Sequence, residues 1–308
     1  MLRITNKEKP IDGARECLLR IINAKAPYLL VTNGSGETEK ERSQRLSNLF
    51  NLDITEDHIV LAHTPIKDLA PEYGNKRILV IGRNKDKISR LMTSYGFNNF
   101  EFIDDYVDEH AYLSPYTHRH HPNASASFDT SNEIPIEAVF ILENPDKWQS
   151  TLQVLVDVML SDGRVGILRQ PNQKQILLCN ANPDLVYGGK YIHPRFTSGA
   201  FIKCLEELYK SVSYNNHEVV VTQYGKPFES TYKYATSMLE NQSKALSRIY
   251  AVGDNPKSDI AGANAAGPLW HSILVRTGIF RIGENDNQHP AKKVCNSIVD
   301  ATEFMFTQ

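Results

Sequence analysis

Two aspartates five residues apart stand where an apolar run turns into a helix: Val252, Gly253, Asp254, Asn255, Pro256, Lys257, Ser258, Asp259. Asp254 ends the strand and Asp259 opens the helix. Open α/β sheets bind their ligands there, outside the carboxyl ends of parallel strands. Asp254 suits a hard cation such as Mg2+, which takes only one or two protein carboxylates and leaves its other positions to water and substrate phosphate. Asp259 alone is equally what a helix N-terminus favours through the macrodipole. Two further strand ends carry anion-binding groups. Thr32, Asn33 and Gly34 set a hydroxyl and adjacent backbone N–H groups near a helix start, where phosphate oxygens can bind. Gly225, Lys226 and Pro227 place a cation in a tight turn after a third strand. Gly, Asn and Pro are also ordinary turn residues, so each loop alone is a weak signal. Three in this order, all at strand ends, are much harder to obtain by chance.

The elements that must position these loops follow from periodicity. Cys17, Leu18, Ile21 and Ile22 at helical spacing predict a helix over 14–23, stopped before Pro27, and an apolar strand over 28–31 follows. The spacing of Thr38 and Glu41 predicts a capping box opening a helix that holds Leu46, Leu49 and Phe50. The strand and helix rhythm continues with strands over 77–81, 138–142 and 175–179 and helices over 85–95 and 147–160. It resumes with helix 199–210, strand 218–222, helix 230–240, strand 249–253, helix 258–265 and strand 272–275. This is the pattern of parallel α/β sheets. With 308 residues and no repeat at solenoid periods, two α/β domains, one inserted into the other, account for the length. The boundaries are expected at 1–65 for the first part of the core, 66–196 for the insert and 197–308 for the second part of the core.

Composition limits the partners. Net charge is -2, from 34 basic and 36 acidic residues, which offers no positive excess for nucleic acid or an anionic membrane. No apolar run approaches the roughly 18 residues of a membrane span, and the first ten residues lack the features of a signal or transit peptide. Cys17, Cys179, Cys204 and Cys295 are scattered, without a CxxC pair or zinc-type spacing, and fit a reducing intracellular compartment. The stretch 116–132, rich in His, Ser, Asn and Pro, reads as a surface loop. Its His118, His120 and His121 are potential metal ligands, yet no acid or Cys sits at ligand spacing, and a solvated loop is favoured.

The order TNG, GKP, GDNPxSD resembles motifs two, three and four of the haloacid dehalogenase superfamily, and the large insertion resembles the cap of its subclass IIA. The similarity extends to the eukaryotic branch typified by the cat-eye-syndrome critical region protein five. It rests on PIDGA at 10–14, YLLVTNGSG at 28–36, AHTP at 62–65, the Arg195 and Phe196 pair, YGKP at 224–227 and AVGDNPKSDIAGAN at 251–264. The resemblance implies a Rossmannoid parallel-sheet core with a large α/β cap and a magnesium-dependent phosphohydrolase of small phosphorylated substrates. It implies that Thr32 bonds the transferring phosphoryl oxygens, with Asn33 and Gly34 beside it, and that Lys226 neutralises charge near the nucleophile. It further implies that Asp254 binds Mg2+ and that Asp259 orients Lys226 or the metal waters. Fixed donors and cations are what phosphoryl transfer needs, because its charge develops on oxygens. Relatives also suggest mitochondria, glycerophospholipid metabolism and an oligomer formed through the cap. Asn180, Asn182 and Asp184 form a polar loop that either reaches the site or closes an Asx turn.

In that family an apolar strand ending DxDGVL precedes the PIxGA segment and carries the attacking aspartate. Here PIDGA begins at Pro10, and the nearby acids are Glu8 and Asp12, the latter a turn residue. The expectation is therefore a chain starting downstream of its nucleophile, or else an inactive relative that keeps binding contacts. A Rossmann-type nucleotide binder is disfavoured because no GxGxxG follows a strand. For the fold, the expectation is an open slot between the strand over 28–31 and the strand over 249–253, with residues 2–5 partly in it.

Overall fold

The computed structural model of the chain describes residues 5, 6, 9–116, 132–187, 191–213, 217–243 and 245–308. The His118, His120 and His121 cluster lies outside them. Two α/β units are formed. One comprises Met1–Asn33, Thr38–Pro65 and Gly225–Gln308, and the other comprises Gly34–Glu37 and Ile66–Tyr224.

In the first unit, Gly13 at φ +75° caps helix α1 (Ala14–Asn23), a conformation that glycine adopts without penalty. Strand β3 (Leu30–Val31) lies parallel to β4 (Ile59–Val60), with Leu30 opposite Ile59. Between them, helix α2 (Glu39–Phe50) opens with the expected capping box: Thr38 Oγ1 accepts from the Glu41 N–H at 3.1 Å, and the Glu41 carboxylate accepts from the Thr38 N–H at 2.9 Å. A second sheet piece runs β12 (Ile249–Gly253), β13 (Trp270–Val275), β14 (Lys293–Cys295), all parallel. The two pieces share their cover on both faces. Leu30, Ile59, Val252 and Ile273 meet α1 and helix α10 (Ile298–Phe306) in one cluster, while Leu29, Val31, Ile249 and Ala251 meet helix α8 (Glu229–Gln242) in another. Alternate residues of β3 and β12 thus face the same two layers, as strands of one sheet do. Among the described residues β3 and β12 are not paired with each other. An apolar cavity of about 260 Å3 lies between them. Near the start of the chain, β1 (Thr5–Asn6) pairs antiparallel with β2 (Lys9–Pro10) and with neither wall of that cavity.

The second unit holds one uninterrupted parallel sheet in the order β11-β8-β7-β5-β6. Its strands are β5 (Ile78–Ile81), β6 (Phe100–Phe102), β7 (Ala138–Ile141), β8 (Leu177–Asn180) and β11 (Thr222–Gln223). Helices α3 (Ala70–Tyr73), α4 (Lys85–Ser94), α5 (Ile103–Glu109), α6 (Trp148–Leu160) and α7 (Ser198–Val212) complete the α/β rhythm. The central strands read ILVI and AVFI and are buried throughout, as parallel strands covered on both faces must be. This unit continues to Tyr224, past the boundary expected at 196. The reason is pairing: β11 takes the sheet edge beside β8, with Thr222 opposite Cys179, and Phe201 of α7 packs edge-on to Trp148 of α6. A small antiparallel pair, β9 (Val186–Tyr187) and β10 (Arg195–Phe196), carries the RF dipeptide on an exposed surface. All four cysteines are free thiols. No helix among the described residues is long and apolar enough to cross a membrane.

Candidate functional site

The carboxyl end of β12 is shaped by the residues that follow it. Gly253 closes the strand, and a Cβ there would run into the Asp259 carboxylate, so glycine is what admits that side chain. Asn255 then caps the next turn, its Oδ1 accepting the Lys257 N–H at 3.1 Å, and Pro256 opens a single π turn over Pro256–Ile260. The turn leads into helix α9 (Ala261–Ala265). It folds Asp259 back on the strand: Asp259 Oδ2 accepts the N–H groups of Asp254 at 3.1 Å and Asn255 at 3.0 Å. From α8, the Tyr232 hydroxyl lies 3.2 Å and 3.0 Å from the carbonyl oxygens of Ser258 and Asp259. Burial holds that phenol far above its ordinary pKa, so it acts as a fixed donor.

Asp259 Oδ1 receives Lys226 Nζ at 2.7 Å, and both side chains are buried. The same ammonium lies 3.3 Å from the Val31 carbonyl oxygen, so it joins the ends of β3 and β12. Asn33 completes this link. Its Oδ1 accepts the Lys226 N–H at 2.7 Å and its Nδ2 donates to the Lys226 carbonyl at 2.9 Å. The Asn33 side chain is thereby committed to the GKP turn, in which Gly225 sits at φ +89°. Thr32, half-buried at the end of β3, donates its N–H to Val60 O at 3.0 Å. Asp254 is buried, and its Oδ2 accepts the Ile279 N–H at 2.7 Å while its carbonyl takes the Phe280 N–H at 3.0 Å.

Thr32, Asn33, Lys226, Asp254 and Asp259 therefore lie at the joined ends of β3 and β12 in one unit. Gly34 groups with residues 34–37 in the other. Three supporting contacts were not foreseen: the Asn33 lock, the 279–280 loop on Asp254 and the Tyr232 donor. Only Gly253 carried a legible signal, a glycine directly before an acid at a strand end. The AHTP stretch is structural, with Thr64 Oγ1 donating to Glu39 at 2.6 Å and accepting the Leu61 N–H at 2.8 Å. In the second unit, Asn182 Oδ1 accepts the Asp184 N–H at 3.0 Å, which is the Asx turn.

The donor chemistry fits Mg2+ at Asp254, a carboxylate at a strand end, since the Asp259 oxygens are taken by Lys226 and two backbone N–H groups. Among the described residues no cluster of three or more His, Cys, Asp or Glu side chains offers a fuller metal cage. A Mg2+ ion would accordingly rest on the Asp254 carboxylate, with its remaining positions left to water or phosphate.

Comparison with known proteins identifies the family and the fold. A haloacid dehalogenase-like hydrolase family model matches residues 4–98, and a second model of the same group, HAD-hydrolase-like, matches residues 223–301. A cardiolipin synthase (CMP-forming) / mitochondrial hydrolase fusion protein of Schizosaccharomyces pombe is 33% identical over 293 residues, covering 92% of this chain. The chain spans only 48% of that relative's length. A mitochondrial hydrolase of Saccharomyces cerevisiae is 28% identical, with 96% of this chain and 90% of the relative covered. The fold is shared with the glycerol phosphate phosphatase of Mycobacterium tuberculosis solved with magnesium, at TM-score 0.64 and 17% identity, covering 96% of this chain and 72% of that one.

Proposed function

Because this chain belongs to the haloacid dehalogenase-like hydrolases, we propose that it is the phosphate- and metal-holding body of a magnesium-dependent phosphohydrolase of small phosphoesters. The observation that carries this reading is the buried ammonium of Lys226, held 2.7 Å from Asp259 and tied to β3 immediately before Thr32. A cation that cannot swing away, beside a hydroxyl and a strand-end carboxylate, is preorganised for charge developing on phosphoryl oxygens. Thr32 bonds those oxygens, and Lys226 offsets their charge. The backbone N–H groups of Asn33 and Gly34 line the loop, while the Asn33 side chain holds Lys226 in register. Asp259 fixes Lys226, and Asp254 holds the metal. Bound Mg2+ supplies charge neutralisation at the phosphate.

In this reading the phosphoryl group passes to an aspartate and then to water, which divides one difficult displacement into two. Neither carboxylate of the site serves as that nucleophile: Asp259 is bound by Lys226 and two backbone N–H groups, and Asp254 is assigned to the metal. The relatives' names favour a mitochondrial location, and the fusion partner's name favours glycerophospholipid metabolism.

The test is hydrolysis of p-nitrophenyl phosphate with Mg2+. A chain that carries a strand ending DxDGVL ahead of the PIDGA segment is expected to turn over. Asp254→Asn in the active form should cost about 10²–10³ in rate, the scale of a lost charge-stabilising group. Hydrolysis that does not depend on Asp254 would remove the metal-holding role assigned to that carboxylate. Inactivity of the extended chain would favour the alternative, a binding protein without catalysis.

A further inference from the structure

Asp259 is held at both of its ends by one stretch of chain. Lys226 bonds its carboxylate at 2.7 Å, and the Tyr232 hydroxyl, further along that stretch on α8, lies 3.0 Å from its carbonyl oxygen and 3.2 Å from that of Ser258. The turn that carries Asp259 has little of its own to hold it. It is a single π turn, Pro256–Ile260, running into the short helix α9, and helices shorter than about 12 residues are marginal alone. The ion pair does not supply the missing anchor. A lysine stem is flexible, so an ammonium and a carboxylate joined only to each other can move together.

The surroundings leave Tyr232 one place to be. It is buried, and Trp270 lies edge-on to it with ring centroids 5.1 Å apart, itself held by its Nε1 donating to Thr236 Oγ1 at 3.2 Å. On the α9 side, a Cβ at Gly262 would fall 2.3 Å from Tyr232 Cε2 and 2.6 Å from the hydroxyl oxygen, so glycine is what lets the phenol reach the turn. We propose that Tyr232 is a positioning residue: its hydroxyl, admitted by Gly262, fixes the Ser258 and Asp259 carbonyls so that the Asp259 carboxylate stays on the Lys226 ammonium and on the N–H groups of Asp254 and Asn255. The inference rests on the phosphohydrolase reading for its effect on turnover, since that reading assigns charge neutralisation to Lys226. Its geometric part stands alone.

The test is residue-resolved hydrogen exchange of the 308-residue chain, read at the amides of Asp254 and Asn255, which donate to Asp259 Oδ2. Tyr232→Phe keeps the ring and removes the hydroxyl. It is expected to speed exchange at those two amides about tenfold, the scale of one net hydrogen bond, and to change β13 by less than about twofold. Asp259→Ala speeds the same amides by itself. Adding Tyr232→Phe to it should change them no further, because a residue that acts through Asp259 then has nothing left to act on. Replacing Tyr232 by p-aminophenylalanine, which keeps a donor at the ring end, should restore the protection. Gly262→Ala crowds the hydroxyl from α9 and should reproduce the two-amide pattern, which decides the question even where Tyr232→Phe fails to fold. In a chain that carries a strand ending DxDGVL ahead of the PIDGA segment, Tyr232→Phe is expected to lower kcat for p-nitrophenyl phosphate about tenfold and to leave KM within about twofold. Equal acceleration in β13, or independent effects of the Tyr232 and Asp259 substitutions, would reduce Tyr232 to a packing residue and overturn the proposal. An unchanged kcat would overturn it as well. Turnover that survives Lys226→Ala would instead sink the phosphohydrolase reading and leave the exchange result standing.

Discussion

Among the described residues, the second unit closes five parallel strands into one sheet, whereas the first unit holds its five parallel strands as a pair and a triple. In the second unit β7 is paired on both sides, Phe140 lying opposite Val80 of β5 and Cys179 of β8. In the first unit β12 is paired with β13 on one side and faces a cavity on the other. Helices cover both faces in either case. The difference teaches that apolar runs determine which faces are buried, while strand-to-strand continuity is a separate property that neighbours must supply. Where the ladder stops, a buried ion pair ties the carboxyl ends together: Lys226 bonds the Val31 carbonyl of β3 and Asp259 beside β12.

That tie is the place to break the comparison with the largest effect. Asp259→Ala leaves the Lys226 ammonium and the N–H groups of Asp254 and Asn255 without their acceptor. Removing one partner of a buried pair costs about 3–5 kcal/mol. Native-state hydrogen exchange should show the loss in β3, β12 and β13, with β5 and β7 keeping their protection. Equal losses in both units would mean that they do not respond separately to a local break.

Packing around the gap gives the next test. Leu178 in the continuous sheet of the second unit is 1% exposed, and Leu239 on the cavity wall is 6% exposed. Leu178→Ala should fall in the usual range of about 2–5 kcal/mol. Leu239→Ala should cost less, because its side chain has no partner atoms on the cavity side to lose. Urea midpoints and local exchange would measure both, and equal costs would mean that the gap is filled in solution.

Much of this contrast was legible in the sequence, and the missing parts have physical causes. The helix over 14–23, the Thr38 capping box and the strand over 249–253 appear at their expected bounds because apolar periodicity and local caps determine them. The site triplets at 32–34, 225–227 and 254–259 were readable because turns at strand ends use few residue types. Strands β4, β6 and β14 were not read: they are two or three residues long and carry too few residues to show a period. The strand expected over 218–222 is found as Thr222–Gln223, displaced because its position is set by β8 rather than by its own apolar residues. The reciprocal bonds of Asn33 to Lys226 join residues 193 apart and have no local signature.

A smaller effect tests whether the cavity tolerates added volume. Val252→Leu extends a side chain that lines the gap, and Val139→Leu does the same in the paired core of the second unit. Overpacking a filled core costs about 1–3 kcal/mol. The Val139 variant should show that loss in the protection of β5 and β7, and the Val252 variant should stay under about 1 kcal/mol, since space is available. A larger penalty at Val252 than at Val139 would contradict the cavity.

The smallest expected effect is a pH dependence confined to the first unit. His58 stacks on Tyr28, with ring centroids 4.2 Å apart and planes at 13°, and its Nδ1 lies 2.9 Å from Thr55 Oγ1. Burial lowers the His58 pKa below its ordinary value, against the opposing pull of Asp57 and Asp53. The sign follows from linkage. With the folded value below the unfolded one near 6.5, the unfolded chain takes up the proton first. The stability contributed by neutral His58 is therefore complete above about pH 6.5 and is lost as pH falls from there through the folded value. His58→Phe keeps the stack and removes the titration. Trp148 lies in the second unit and Trp270 in the first, so a Trp148→Phe background lets fluorescence report the first unit alone. Urea midpoints measured from pH 7.5 to 5.5 should fall more steeply for the parent than for the His58 variant. Parallel slopes would show that the stacked imidazole is not protonated preferentially in the unfolded chain, and that the Tyr28 wall of the gap is no more shielded from water than an open surface.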